Sequence, residues 1–300
     1  MNDSLYQHVL SNLQYQHDDV LDKFVEALKA EYKQSLLGIV FYGSCMRTRE
    51  YQDAMLDFYV IVDEYQHAYS NRWYSLANKI LPPNVFYLQV EMNDQIYRCK
   101  YAVMTHSSLS SAVKKSFHPY FWARFTQPLS LIYAVNDDVK KSIAKIQCAA
   151  ATTFTDSVKD SMEGEFTSES LWVQGLQLTY STELRAETKQ RAGIIYNTQR
   201  DFYDGITASI FPNKAIEFSM HKIKYSTSIK WKVRAMWGKV LSILRLMKAT
   251  TTFVNGVDYI AWKIERHTGE PVIVSDKLRK YPLIYCWPLL FKFYKQGKIR

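Results

Sequence analysis

The sequence predicts an α+β protein: a mixed β-sheet domain, then a mainly helical domain, then a basic C-terminal tail. Three observations predict it. Runs rich in Val, Ile, Phe and Tyr recur between residues 36 and 135 without the regular strand–helix alternation of a βαβ array, and residues 137–210 carry helical patterns instead. The charge is also lopsided. Residues 1–150 hold 15 basic and 15 acidic side chains, whereas residues 219–300 hold 17 basic and 4 acidic, so the chain total of +9 combines a neutral front with a tail of +13. A length of 300 residues, 47% of them hydrophobic, suits one large or two moderate domains with a sizeable core.

The elements follow in order. Leu5, Val9, Leu10 and Leu13, then Val20, Phe24 and Leu28, recur at helical spacing and predict helix over 5–35. "LLGIVFYGS" and "LDFYVIVD" read as strands. "NRWYSLANKIL" reads as a helix stopped by Pro82-Pro83, and "NVFYLQVEM" with "QIYRCKYAVM" as a hairpin across Asn93-Asp94. A helix over 107–116 precedes "FWARFTQPLSLIYAV", whose end is another strand. The character changes after Asn136, which sets expected regions at 1–136, 137–218 and 219–300. No tandem repeat or low-complexity linker separates them.

Composition narrows the function classes. Cys45, Cys99, Cys148 and Cys286 are scattered without metal-ligand spacing, as expected of reduced thiols in a cytoplasmic protein. The N-terminal segment is polar and acidic, unlike a signal peptide or an Arg-rich presequence. No apolar run approaches the roughly 18 residues that span a bilayer; the longest, "LIYCWPLLF", contains Pro288. The basic tail points to a polyanion, either nucleic acid or an anionic lipid surface. In it Trp231, Trp237, Tyr259, Trp262, Tyr285 and Trp287 alternate with Lys and Arg, a composition that suits a lipid interface or a packed helical core. His118 and His267 have no metal-partner spacing, and Asp63 and Glu64 read as a solvated strand end.

The chemistry concentrates in "GIVFYGSCMRTREYQDAMLDFYVIVDEY". Gly43-Ser44 closes the first strand and Asp57, fourteen residues later, opens the second. Glycine lets the backbone approach a triphosphate closely. The serine hydroxyl and nearby N–H groups can donate to its oxygens. A strand carboxylate can hold a divalent metal that neutralises the attacked phosphate. A tight turn and a strand-edge acid also satisfy a purely structural reading. The pattern resembles the outline of the nucleotidyltransferase superfamily, with one departure: Tyr59 stands where that outline has a second carboxylate.

A narrower resemblance accommodates Tyr59. "MLDFYVIVDEY" is similar to the Asp-Phe strand of the mitochondrial-type phosphatidate cytidylyltransferases, the soluble CDP-diacylglycerol synthases. "CKYAVMTHSSL" resembles their Lys-Tyr-Gly-Val strand through Lys100 and Tyr101, with Ala102 replacing Gly. "WARFTQPLSLI" resembles their Gly-Arg-Leu-x-Lys-Pro segment through Arg124 and Pro128. "LQLTYSTELRAE" resembles their Leu-Ser-Tyr-x-x-Asp-Phe-Arg helix through Tyr180 and Arg185, with Glu183 standing for Asp, and "TQRDFYDGI" their Phe-Arg-Glu-Leu-Tyr segment. The pieces keep their order over roughly 36–210.

The resemblance implies that the phosphate of phosphatidic acid attacks the α-phosphorus of CTP, giving CDP-diacylglycerol and pyrophosphate. It implies Gly43 and Ser44 on the triphosphate, Asp57 on Mg²⁺, and Lys100, Arg124 and Arg185 neutralising phosphates, with Asp57 and Lys100 as the catalytic pair. Glu183 and Arg185, two apart on a predicted helix, cannot share one face unless the helix ends there. The expected partners are CTP, phosphatidic acid and an anionic membrane surface, without nucleic acid. The expected setting is peripheral on the inner face of a bacterial or similarly compartment-free membrane. Two alternatives stand beside it: a nucleotidyltransferase acting on RNA or a small molecule, and a non-catalytic lipid-binding relative.

Overall fold

The structure, a computed structural model, describes residues 2–15, 17–162, 166–183, 189–212, 229–252 and 274–280, together with the single positions 257, 261 and 265. Its front half is a five-stranded mixed sheet and the remainder is mainly helical, as the sequence predicts. The strands are β1 (Leu36–Tyr42), β2 (Met55–Val62), β3 (Asn84–Met92), β4 (Gln95–Thr105) and β5 (Ser130–Ala134), in the spatial order β3-β4-β2-β1-β5. Only β2 and β4 run parallel; the other neighbours are antiparallel.

The expected helix over 5–35 is two helices, α1 (Asp3–Asn12) and α2 (Asp19–Tyr32). Asp18 explains the break: its carboxylate accepts from the backbone N–H groups of Val20 and Leu21, which starts a new helix there. Asp19 and Asp22 then favour the positive end of α2. The hairpin turns on Asn93 and Asp94, both left-handed (φ 52° and 58°), the conformation that a two-residue hairpin loop demands. The first strand stops at Tyr42, one residue short of the glycine, and Ser44 already belongs to the short helix α3 (Ser44–Thr48). Helices α4 (Tyr65–Ala68), α5 (Arg72–Ile80) and α6 (His106–Lys115) follow along the front half.

Alternation along β2 sorts its side chains. Leu56, Phe58, Val60 and Val62 pack with Phe24 and Leu28 of α2. Tyr59 and Ile61 face the other way, into a core shared with α1, α7 (Trp122–Phe125), α8 (Asp137–Lys159), α9 (Ser168–Tyr180), α10 (Lys189–Thr198) and α11 (Arg200–Ile210). Asn136 caps α8 through the N–H of Val139. Trp122, Trp172, Phe154 and Tyr203 are fully buried here, each worth roughly 1.5–3 kcal/mol of apolar burial. Asp57 therefore faces the helical side of the sheet.

The long basic helix α12 (Ile229–Thr252), followed by a short helix at Asp276–Lys280, buries Trp231, whose indole N–H donates to Ser161 Oγ, so that residue belongs to the core alternative of the sequence reading. Trp237 on the same helix is exposed. Tyr259, Trp262, His267, Tyr285, Cys286 and Trp287 lie outside the described residues. Cys45, Cys99 and Cys148 are free and buried, and among the described residues no helix is long and apolar enough to cross a membrane.

Candidate functional site

Strand register builds the site. Tyr42 of β1 is paired with Asp57 of β2, and Asp57 with Lys100 of β4, so the turn after β1, the acid and the lysine stand side by side. Lys100 Nζ lies 3.0 Å from Asp57 Oδ1. Gly43 follows Tyr42 at φ +88° and ψ −161°, a region open essentially to glycine alone. A Cβ there would lie 2.8 Å from Asp57 Oδ2, so only glycine lets the turn close over the acid. Cys45 anchors the far side of the turn, its Sγ–H reaching the Met55 carbonyl at 3.3 Å. Burial and then Asp57 push the Cys45 thiol above its ordinary value, so it is not a thiolate nucleophile.

These groups open into a cleft of about 270 Å³ between the sheet and the helical half. Gly43, Ser44, Asp57, Lys100 and Arg124 all line it. Arg185, the remaining expected site residue, lies outside the described residues. The cleft also takes Arg47, Tyr120, Tyr180, Glu183 and Arg191, so among the described residues its charged lining is four cations and two carboxylates.

Arg124 on α7 crosses the cleft wall. Its guanidinium donates to Glu183 Oε1 at 2.7 Å and to the Tyr120 carbonyl at 2.9 Å, and its central carbon sits 3.8 Å from the Tyr120 ring centre. Burial works against the Arg124 charge, but Glu183 and the surrounding tyrosines outweigh it and hold the pKa above the usual arginine value. Helix α9 ends at Tyr180, which frees Glu183 from the helical geometry that would have kept it off the site.

Tyr59 settles what replaces the absent second carboxylate. Its ring packs against Tyr42 and Phe125 (centroids 5.0 and 4.9 Å) at 1% exposure, and its hydroxyl is buried without a hydrogen-bond partner. The position is thus a core plug beneath the cleft. Among the described residues no group of three or more His, Cys, Asp or Glu side chains could hold a metal by itself. A Mg²⁺ ordinarily takes one or two carboxylates plus substrate phosphates. Asp57 alone could fill that smaller role, for an ion held mainly by other ligands.

Arg47 and Arg191 were not singled out from the sequence. Arg47 carried a signal, since it sits four residues after Gly43 in the segment that the turn aims at the cleft. Arg191, on α10 and far along the chain, carried none.

No protein-family profile matches the chain, and no curated protein matches it. Among solved structures it is similar to a nucleotidyltransferase-like protein from Exiguobacterium sibiricum, at 9% identity over 92% of each chain and a TM-score of 0.27.

Proposed function

We propose that the cleft binds a nucleoside triphosphate and that the protein is a nucleotidyltransferase, with CTP as donor and phosphatidic acid as acceptor. The observation that carries the reading is the glycine corner closed over Asp57 inside a cleft where Arg47, Lys100, Arg124 and Arg191 converge. Among the described residues of the lining, four cations stand against two carboxylates, a balance that a polyphosphate would complete.

In this reading Gly43 and Ser44 cradle the triphosphate, and Lys100 and Arg124 draw charge from its non-bridging oxygens. A phosphatidate oxygen attacks the α-phosphorus, the α–β phosphoanhydride bond breaks and pyrophosphate leaves. The attacking phosphate is already ionised at neutral pH, so no general base is required. Alignment and charge compensation supply the catalysis. Asp57, with the phosphates, would hold Mg²⁺, which when bound supplies charge neutralisation at the leaving group.

The lipid acceptor has separate support. Met236, Trp237, Val240, Ile243 and Met247 form an exposed apolar stripe on α12, beside Lys230, Lys232 and Lys239 and with no acid anywhere between 229 and 252. Apolar and cationic residues on one exposed face suit an anionic interface.

A second reading, a non-catalytic anion-binding relative, is favoured by the single strand carboxylate being already paired with Lys100. One experiment separates the readings. The protein is incubated with CTP labelled at the α-phosphate, Mg²⁺ and either phosphatidate vesicles or transfer RNA. Label in a liponucleotide, lost in Asp57→Asn, supports the proposal. Label in RNA moves the acceptor, and no transfer with retained CTP binding favours the second reading.

A further inference from the structure

The face of α12 that packs on the protein is cationic. Trp231, Arg234, Gly238, Arg245 and Lys248 recur at intervals of three, four, seven and three residues, which keeps them on one helix face, and the docked ends are fixed by polar contacts. Arg234 Nε donates to the Phe117 carbonyl at 2.9 Å, and Lys248 Nζ to the Pro83 carbonyl at 2.7 Å. At Gly238 a methyl group would overlap His118 Nε2 and the Thr182 carbonyl. The helix backbone therefore lies directly on the two segments that carry Tyr120 and Glu183 into the cleft.

Arg245 reaches furthest. Its Nε donates to the Pro82 carbonyl at 2.9 Å, and its guanidinium carbon sits 4.0 Å from the centre of the Tyr120 ring. Arg124 lies 3.8 Å from the same ring centre. Both guanidinium groups thus sit at cation–π distance from the one Tyr120 ring. Arg124 has Glu183 to balance its charge. Arg245 has no carboxylate at ion-pair distance among the described residues, and its Nη1 is buried without a hydrogen-bond partner. Burial, with Arg124 adding to it against the opposing effects of Tyr120, Tyr59 and Glu183, pulls the Arg245 pKa below the usual arginine value. A partly buried cation near a like charge costs stability that added negative charge would offset.

We propose that this charge is supplied by a polyphosphate in the cleft, and that Arg245 is a positioning residue: it backs Tyr120, fixes Arg124 in the cleft wall and adds its field to the anion site. The inference rests on the phosphate reading of the cleft and extends it, because it makes α12 part of the binding apparatus.

The test is calorimetric titration of the full chain with inorganic tripolyphosphate, with melting temperatures measured in the absence of anion. Arg245→Gln keeps a donor for Pro82 and should weaken binding about tenfold while melting no lower than the wild type. Arg245→Lys keeps the charge but not the planar stack on Tyr120, so it should recover only part of the loss, and Lys145→Gln, on the exposed side of α8, should bind as the wild type does. Wild-type affinity in Arg245→Gln overturns the inference. So does weaker binding accompanied by a lower melting temperature, or failure of this variant to fold, either of which makes Arg245 a structural clamp. Arg124→Gln separates the two levels of argument. If the wild type does not bind tripolyphosphate, or Arg124→Gln binds equally well, the phosphate reading itself is lost; if only Arg245→Gln is silent, that reading survives.

Discussion

Replacing Gly43 by alanine should damage the fold and the site together, and the magnitude follows from two terms. The backbone at φ +88°, ψ −161° costs a non-glycine residue about 1–3 kcal/mol. The added methyl would also sit 2.8 Å from Asp57 Oδ2 and 3.4 Å from Asp57 Cβ and Cγ, so the carboxylate must swing away. That movement breaks the contact with Lys100, which is partly exposed and worth about 1 kcal/mol or less. The expected loss is about 1–4 kcal/mol, a sizeable share of the roughly 5–15 kcal/mol that holds a domain folded. Urea denaturation measures it, and titration with Mg·CTP at a temperature where the variant remains folded should show binding weakened more than about tenfold. A loss below about 0.5 kcal/mol with unchanged CTP affinity would refute the reasoning, because the turn would then have room that the geometry denies it.

Two further outcomes follow from the surroundings of the cleft. Tyr59→Phe removes a buried hydroxyl that has no partner and should be neutral or stabilising by about 1 kcal/mol, whereas Tyr59→Asp, which introduces a carboxylate two positions after Asp57, should cost more than about 3 kcal/mol by leaving a cavity and a buried charge; thermal unfolding checks both, and a destabilised Phe variant would mean the hydroxyl is bonded. His118, buried and faced by Arg245, Arg124 and Arg234, is held down to about 4 by burial first and those guanidinium groups second. The unfolded chain binds the extra proton from about pH 6.5 downward, so stability should be full above that pH and fall by up to about 3 kcal/mol as pH drops toward 4; a His118→Gln variant with the same pH slope would show that another group carries it.

Local chemistry made much of the fold legible. The strands show because Val, Ile, Phe and Tyr crowd 36–42, 55–62 and 84–105, and the hairpin because Asn93 and Asp94 tolerate left-handed backbone. The corner at Gly43 shows for the same reason. What stayed hidden depends on contacts distant in sequence. Arg124 and Glu183 are 59 positions apart, and only the packing of α7 against the end of α9 pairs them. Arg191 and Arg245 reach the site region from helices whose periodicity says nothing about where they dock. Helix α12 inverted the usual rule. A basic, aromatic segment suggests cations toward solvent and apolar groups inward, yet Arg234 is buried and Arg245 and Lys248 partly so, while Met236, Trp237 and Met247 face out. Tyr59 was visible as a departure, but its role as a plug between Tyr42 and Phe125 needed the register of three strands.

The most direct measurement is a titration with Mg²⁺ and a CTP analogue bridged by methylene between the α- and β-phosphates, which cannot release pyrophosphate. The wild-type chain should bind one equivalent, with affinity falling at least about tenfold in Asp57→Ala and in Arg124→Gln while both variants keep their secondary structure. Equal binding in all three proteins, or none in the wild type, would mean that the corner over Asp57 is a structural turn and that the cleft serves another ligand.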